Sequence, residues 1–185
     1  VLTVTNEASL MSFYTNMGVR YVIVKAGTGS DEFNGNYAFP QFNANLIARA
    51  HAVGLLIFGY SCSYGIDVPG EIALASTVFN RGADGFVIDA ESEWESDVLP
   101  NNTTKAVQLC SGIRSNWPTK FLAHAPYPIV SYHSTFPYKE FGYYCDATVP
   151  QYYYSGWTGV KSRPSGAINW ADVELKAWQN SLTGQ

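Results

Sequence analysis

Short apolar runs, rich in β-branched residues, alternate with helix-length stretches almost from end to end of this chain. The runs are "RYVIVKAGTG", "LLIFGYSCS", "DGFVID", "KFLAHA" and "ATVPQYYY". They show little of the apolar–polar alternation of a half-exposed strand, as expected where both faces of a parallel sheet are covered. Strand starts recur roughly every 30 residues, which is the length of a βαβ unit. This pattern predicts an α/β fold of the (β/α) TIM-barrel type. With "VLTVT" as a further strand, the chain supplies about six of the eight β/α units of such a barrel. Residues 1–185 therefore read as one β/α-barrel domain cut short at one or both ends, with continuation past Gln185 favoured.

The intervening stretches carry helix punctuation. "NEASLMSFYTNMG" has Asn6 or Thr5 to cap it and Gly18 to stop it, and "FNANLIARAHAVG" closes on Gly54. "DVPGEIALASTVFNRG" places Pro69 in the first turn and Gly82 just past the end, the positions helices prefer for each. "NNTTKAVQLCSGIRSNW" is halted by Pro118, "PYKEFGYY" is a short helix, and "NWADVELKAWQNSL" a last one. The two overlapping glycosylation sequons in "NNTT" read as a polar loop opening a helix.

Composition narrows the function classes. Charged residues make up 14% of the chain and apolar ones 46%, a globular balance. A net charge of -4 provides no basic face for nucleic acid. No apolar run approaches the length of a membrane span, and "VLTVTNEASL" lacks the basic start and apolar core of a targeting segment. Cys62, Cys110 and Cys145 form no CxxC, so no metal is expected, while a disulfide and buried free thiols both stay open. "AGTGS" lacks the GK[ST] of a phosphate loop and no GxSxG elbow occurs, so no cofactor is called for. Aromatic residues reach 15%, with 13 Tyr and 5 Trp. They cluster in "YSCSY", "HAPYP" and "PQYYYSGW" beside turn residues, which suits a stacking surface for sugar rings.

In a barrel the C-terminal strand ends face the active site. Those positions hold Lys25, Tyr60, Asp89 with Glu91, His124, and Gln151 with Tyr153. Asp89 and Glu91 are two apart in extended backbone, so both point to one face. Two carboxylates this close repel, which raises the pKa of one and leaves the other charged. Such a pair suits general acid catalysis toward a glycosidic oxygen with electrostatic support from its neighbour. Lys25 reads as a counter-charge that helps keep Asp89 ionised, and His124 as either a substrate contact or a core histidine. Glu93, Glu95 and Asp97 read as solvated loop with Trp94 as a rim aromatic, and His51 and His133 as structural.

Several of these motifs carry a family resemblance. "YVIVKAGTGS", "NANLIARAHAVGLLIFGYSCS" and "GFVIDAE" resemble the family 25 glycoside hydrolases, the lysozyme type. "DGFVIDAE" is also similar to the family 18 chitinase signature D-G-x-D-x-D-x-E, with Asp84, Gly85, Asp89 and Glu91 in register and Val87 in place of an acid. "HAPYPIVSYHSTFPYKEF" and "CDATVPQYYY" extend the likeness along the chain. The resemblance implies cleavage of β-1,4 bonds in peptidoglycan or a related amino-sugar polymer. Glu91 would then be the general acid/base and Asp89 the supporting carboxylate. Lys25, Tyr60, His124, Gln151, Tyr153 and Trp157 would contact the sugar. It also implies an extracellular, cell-wall or virion setting and a polysaccharide partner. The lysozymes' "KATEG" reads "KAGTG" here, and their first-strand Asp-Val-Ser is absent from "VLTVT". The alternative is a catalytically inactive barrel that binds glycan or serves a cell-surface or virion assembly.

Overall fold

A computed structural model describes residues 6–35 and 40–151. The candidate strand "VLTVT", the helix "NWADVELKAWQNSL" and the candidate contacts Tyr153 and Trp157 lie outside these residues.

The first described element is α1 (Glu7–Asn16), which Asn6 caps by accepting the Ser9 N–H at 2.9 Å. Strand β1 (Tyr21–Thr28) follows, then the two-residue β2 (Asp31–Glu32) that folds back antiparallel onto its end. Helix α2 (Ala44–Ala52) is capped by Asn43, whose side-chain Oδ1 takes the N–H groups of Asn45 and Leu46. Strand β3 (Leu56–Ser63) leads to α3 (Val68–Asn80), capped by Asp67. Strand β4 (Gly85–Ala90), α4 (Asn102–Asn116), β5 (Phe121–His124), α5 (Tyr138–Tyr144) and β6 (Ala147–Thr148) complete the series. The glycines read as helix stops do that work, with φ of 81° at Gly18, 77° at Gly54 and 104° at Gly82, where a Cβ would be strained.

The strands form one sheet in the order β2-β1-β3-β4-β5-β6, parallel throughout except for β2. The architecture is thus mixed α/β with a mostly parallel six-stranded sheet. Among the described residues the sheet is open, with β2 and β6 at its edges. No helix among them is long and apolar enough to cross a membrane.

Register shows what each face does. Ile57, Phe86, Ile88 and Leu122 pack in one buried cluster with Ile47, Val78, Phe79, Leu109, Ile113 and Phe141 from the helices. Each such side chain, fully buried, contributes about 1.5–3 kcal/mol. The opposite face carries Tyr21, Leu56, Phe58 and Phe121, three of which remain exposed. Phe58 meets Tyr21 and Phe121 edge-on at 5.8 and 5.3 Å. Gly85 makes room for this, since a Cβ there would fall 2.3 Å from Phe58 Cδ1.

Candidate functional site

The site lies where β3 and β4 end. Lys25 pairs with Tyr60, Tyr60 with Val87, and Cys62 with Asp89. Register partners in neighbouring strands share a face and alternate residues along a strand do too. Lys25, Tyr60, Cys62 and Asp89 are therefore all on the face away from the helices. A bulge at Ala26, between Lys25 and Gly27, shifts β1 by one residue and keeps Thr28 opposite Cys62.

Gln151 closes the group. Its Nε2 donates to Asp89 Oδ1 at 2.9 Å, to Glu91 Oε1 at 2.8 Å and to the Ala125 carbonyl at 3.2 Å. One amide nitrogen thus ties both carboxylates to the end of β5. The second oxygen of Asp89 accepts from the Cys62 thiol at 3.4 Å. Lys25 exerts an attractive pull on Asp89 while its Nζ stands 4.8 Å above the Phe33 ring. Burial pushes the Asp89 carboxyl above the usual range, with Glu91 and Glu93 adding repulsion; the Cys62 bond and Lys25 oppose this only in part. The same burial, and then the Asp89 charge, push the Cys62 thiol up.

Tyr127 is a further neighbour of Glu91. Burial, and then the Glu91 carboxylate near it, push its phenol above the ordinary range. Its ring stacks on His133 at 4.4 Å and 17°. His133 Nδ1 in turn pairs with Glu95 at 2.8 Å, and the Thr135 hydroxyl donates to the second Glu95 oxygen. Glu95 therefore clasps two loops together and is not simply solvated, and His133 is tied to the site through Tyr127.

Trp94 is not a rim residue. It is fully buried, its indole N–H donates to the Ser63 carbonyl at 2.9 Å, and its ring meets Phe141 edge-on at 5.0 Å. Its own carbonyl accepts from Asn102 Nδ2 at 2.8 Å. The short 3-10 turn Ser92–Trp94 begins at Glu91, so this anchor sets where the Glu91 backbone leaves the strand. Asn102, the second sequon asparagine, is buried in that role.

His124 is placed elsewhere. It pairs with Ile88, one residue before Asp89, so it points toward the helices and is fully buried. There it stacks on Phe141 at 5.3 Å and 16°, in the core position that was one of its two sequence readings. Asp84, part of the chitinase-like signature, is at the opposite end of β4, where it accepts the Ile57 N–H at 2.8 Å and pairs with His51 at 2.9 Å. Sequence reasoning passed over Cys62 and Tyr127. Cys62 was within reach of it, being two residues beyond Tyr60 on the same strand face.

Among the described residues no group of three or more His, Cys, Asp or Glu side chains is arranged to hold a metal ion. No family model matches the chain, and no curated protein does. Among solved structures it is similar to a GH18 chitinase from Pseudoalteromonas aurantia, with 18% identity and a TM-score of 0.51. The match covers 69% of this chain and 54% of the chitinase, so the chain spans about half the length of that relative. The likeness bears on the fold: a glycoside hydrolase of family 18 shares this arrangement of strands and helices. It does not single out family 25.

Proposed function

We propose that this chain is part of a TIM-barrel glycoside hydrolase that cleaves β-1,4 bonds in an amino-sugar polymer, either peptidoglycan or a chitin-like glycan. Glu91 is the general acid/base and Asp89 its supporting carboxylate. The observation that carries the reading is the Gln151 bridge, which holds the two carboxylates together at the C-terminal end of a parallel strand. The fold likeness to a chitinase supports the same class.

Both bridged oxygens are within hydrogen-bond reach of one nitrogen, so they lie within about 6 Å of each other. An inverting pair leaves roughly 6.5–9.5 Å for a water between its carboxyls. The arrangement suits retention, in which Glu91 protonates the leaving oxygen and later activates water from the same side. Asp89 would accept the N–H of an N-acetyl group and orient its carbonyl toward the anomeric carbon, consistent with a substrate-assisted route. Lys25 helps keep Asp89 charged against burial. Gln151 donates to Glu91, so one oxygen of its carboxylate is held before substrate arrives. Tyr60 is on the same face for sugar contact.

One observation favours a second reading, a glycan-binding barrel without turnover. The Gln151 amide already occupies an oxygen of each carboxylate. Product analysis separates the two. The protein is incubated with peptidoglycan and with chitin oligomers, and the anomeric proton of the first-formed product is followed by NMR. Product that appears first in the β configuration supports the hydrolase. Binding without product supports the alternative, and an α-first product contradicts retention.

A further inference from the structure

Two of the three cysteines meet at a place the glycosidase reading does not use. Cys110 is fully buried on α4, and Cys145, just past α5, is only partly so. Arg114 brings them together. It lies one turn beyond Cys110 on the same face of α4. Its Nε donates to the Tyr144 carbonyl at 2.7 Å and its Nη2 pairs with Asp146 at 2.6 Å. The guanidinium therefore grips the residue on each side of Cys145 and holds that backbone against α4. Cys110 belongs to the buried core cluster and Cys145 packs against it, both as free thiols, and each thiol shifts the pKa of the other.

His124 completes the cluster. Its ring is fully buried, and neither nitrogen has a hydrogen-bond partner, which is unusual for a buried polar group. It acts electrostatically on Cys145. A nucleophile beside a base with spare proton capacity is the arrangement thiol chemistry needs.

We propose that Cys110 and Cys145 form a dithiol site that exchanges with small-molecule disulfides of the glutathione type and closes to an intramolecular disulfide. Cys145 attacks, because solvent reaches it and not Cys110. The Cys110 thiol, aided by His124 and Arg114, brings the Cys145 thiol down to about 6. The Cys145 thiol and burial drive Cys110 well above the ordinary range. The thiolate at neutral pH is therefore on Cys145.

In the first step the Cys145 thiolate bonds to one sulfur of the disulfide, whose S–S bond breaks to release one thiolate. In the second, Cys110 attacks the Cys145 sulfur and its proton leaves with the second small-molecule sulfur, which is released as a thiol. Two protein thiols are oxidised and one small-molecule disulfide is reduced to two thiols, with no other oxidant. The bridge would lock α4 to the turn that enters β6, the strand leading to Gln151.

The test is exposure of the native protein to oxidised glutathione, followed by alkylation and peptide mapping. The expected product is lighter by about 2 Da, has its Cys110 and Cys145 peptides joined, and keeps Cys62 alkylatable. Cys110→Ser should stop at the mixed disulfide on Cys145, heavier by about 305 Da, and Cys145→Ser should resist exchange at Cys110. In guanidinium the unfolded chain should give mixed pairings. The proposal is overturned if both thiols stay alkylatable, if the bridge forms to Cys62 or between chains, or if the unfolded chain pairs just as selectively. The wild-type map needs no variant, so a misfolded mutant would not obscure the outcome.

Discussion

Replacing Gln151 with leucine keeps the side-chain bulk and removes one nitrogen that serves three acceptors. A hydrogen bond to a charged group contributes about 1.5–3 kcal/mol when well shielded. Asp89 and Glu91 are only part-buried, so about 1 kcal/mol each is the more suitable figure. The 3.2 Å bond to Ala125 adds about 0.5 kcal/mol. The expected loss is about 2–3 kcal/mol, or roughly 4–12 °C in Tm for a chain of this size. Its pH dependence identifies the cause. A donor to the ionised carboxyl of Asp89 holds its pKa down, so its removal lets that pKa, already raised by burial, climb further. The wild-type advantage is then full well above the carboxylate range and shrinks as pH falls through Asp89's raised value, where the protonated acid needs no donor. Urea unfolding of both proteins at pH 8 and pH 4 measures this. An equal loss at both values would mean packing alone is responsible, and no loss at all would refute the bridge.

Three further outcomes are expected. Asp84→Ala should cost about 1–2 kcal/mol in urea unfolding, because the Ile57 N–H and His51 lose their partner, while any hydrolytic rate stays unchanged. Glu71 is buried, accepts from the Ser63 hydroxyl and from the N–H groups of Tyr64 and Gly65, and has its pKa raised chiefly by burial. Wild type should therefore lose stability as pH rises from the unfolded carboxyl value through the raised folded one. Glu71→Gln should lack that slope and gain on wild type between pH 4 and pH 7 in parallel denaturations. Trp94→Phe removes the indole N–H that the Ser63 carbonyl accepts and opens a void, and thermal unfolding should register about 2–4 kcal/mol.

The elements were legible because their ends are marked. Asn6, Asn43 and Asp67 cap helices by side-chain bonds, and Gly18, Gly54 and Gly82 stop them at positive φ. Register was less legible. Strands that carry apolar residues on both faces show no polar alternation, and a slip of one residue moves a side chain to the other face. That is why "KFLAHA" could not show that His124 aligns with Ile88 and not with Asp89. "SEWESD" looked like a uniform acidic loop, yet Trp94 is core and Glu95 is clasped by His133 and Thr135, about 40 positions away. Such contacts exist only once β5 lies beside β4. Asp89 and Glu91 were readable from a spacing of two; their shared donor depends on where β6 releases the chain.

The proton transfer proposed for Glu91 is tested most directly by reducing-end release from a β-1,4-linked N-acetylglucosamine oligomer by wild type and Glu91→Gln, with oligomer binding measured alongside by calorimetry. Hydrolysis by wild type is expected, with a fall of about 10²–10⁴-fold in the variant and affinity retained within a few-fold. Equal rates in the two proteins, or wild type that binds the oligomer without cleaving it, would contradict it.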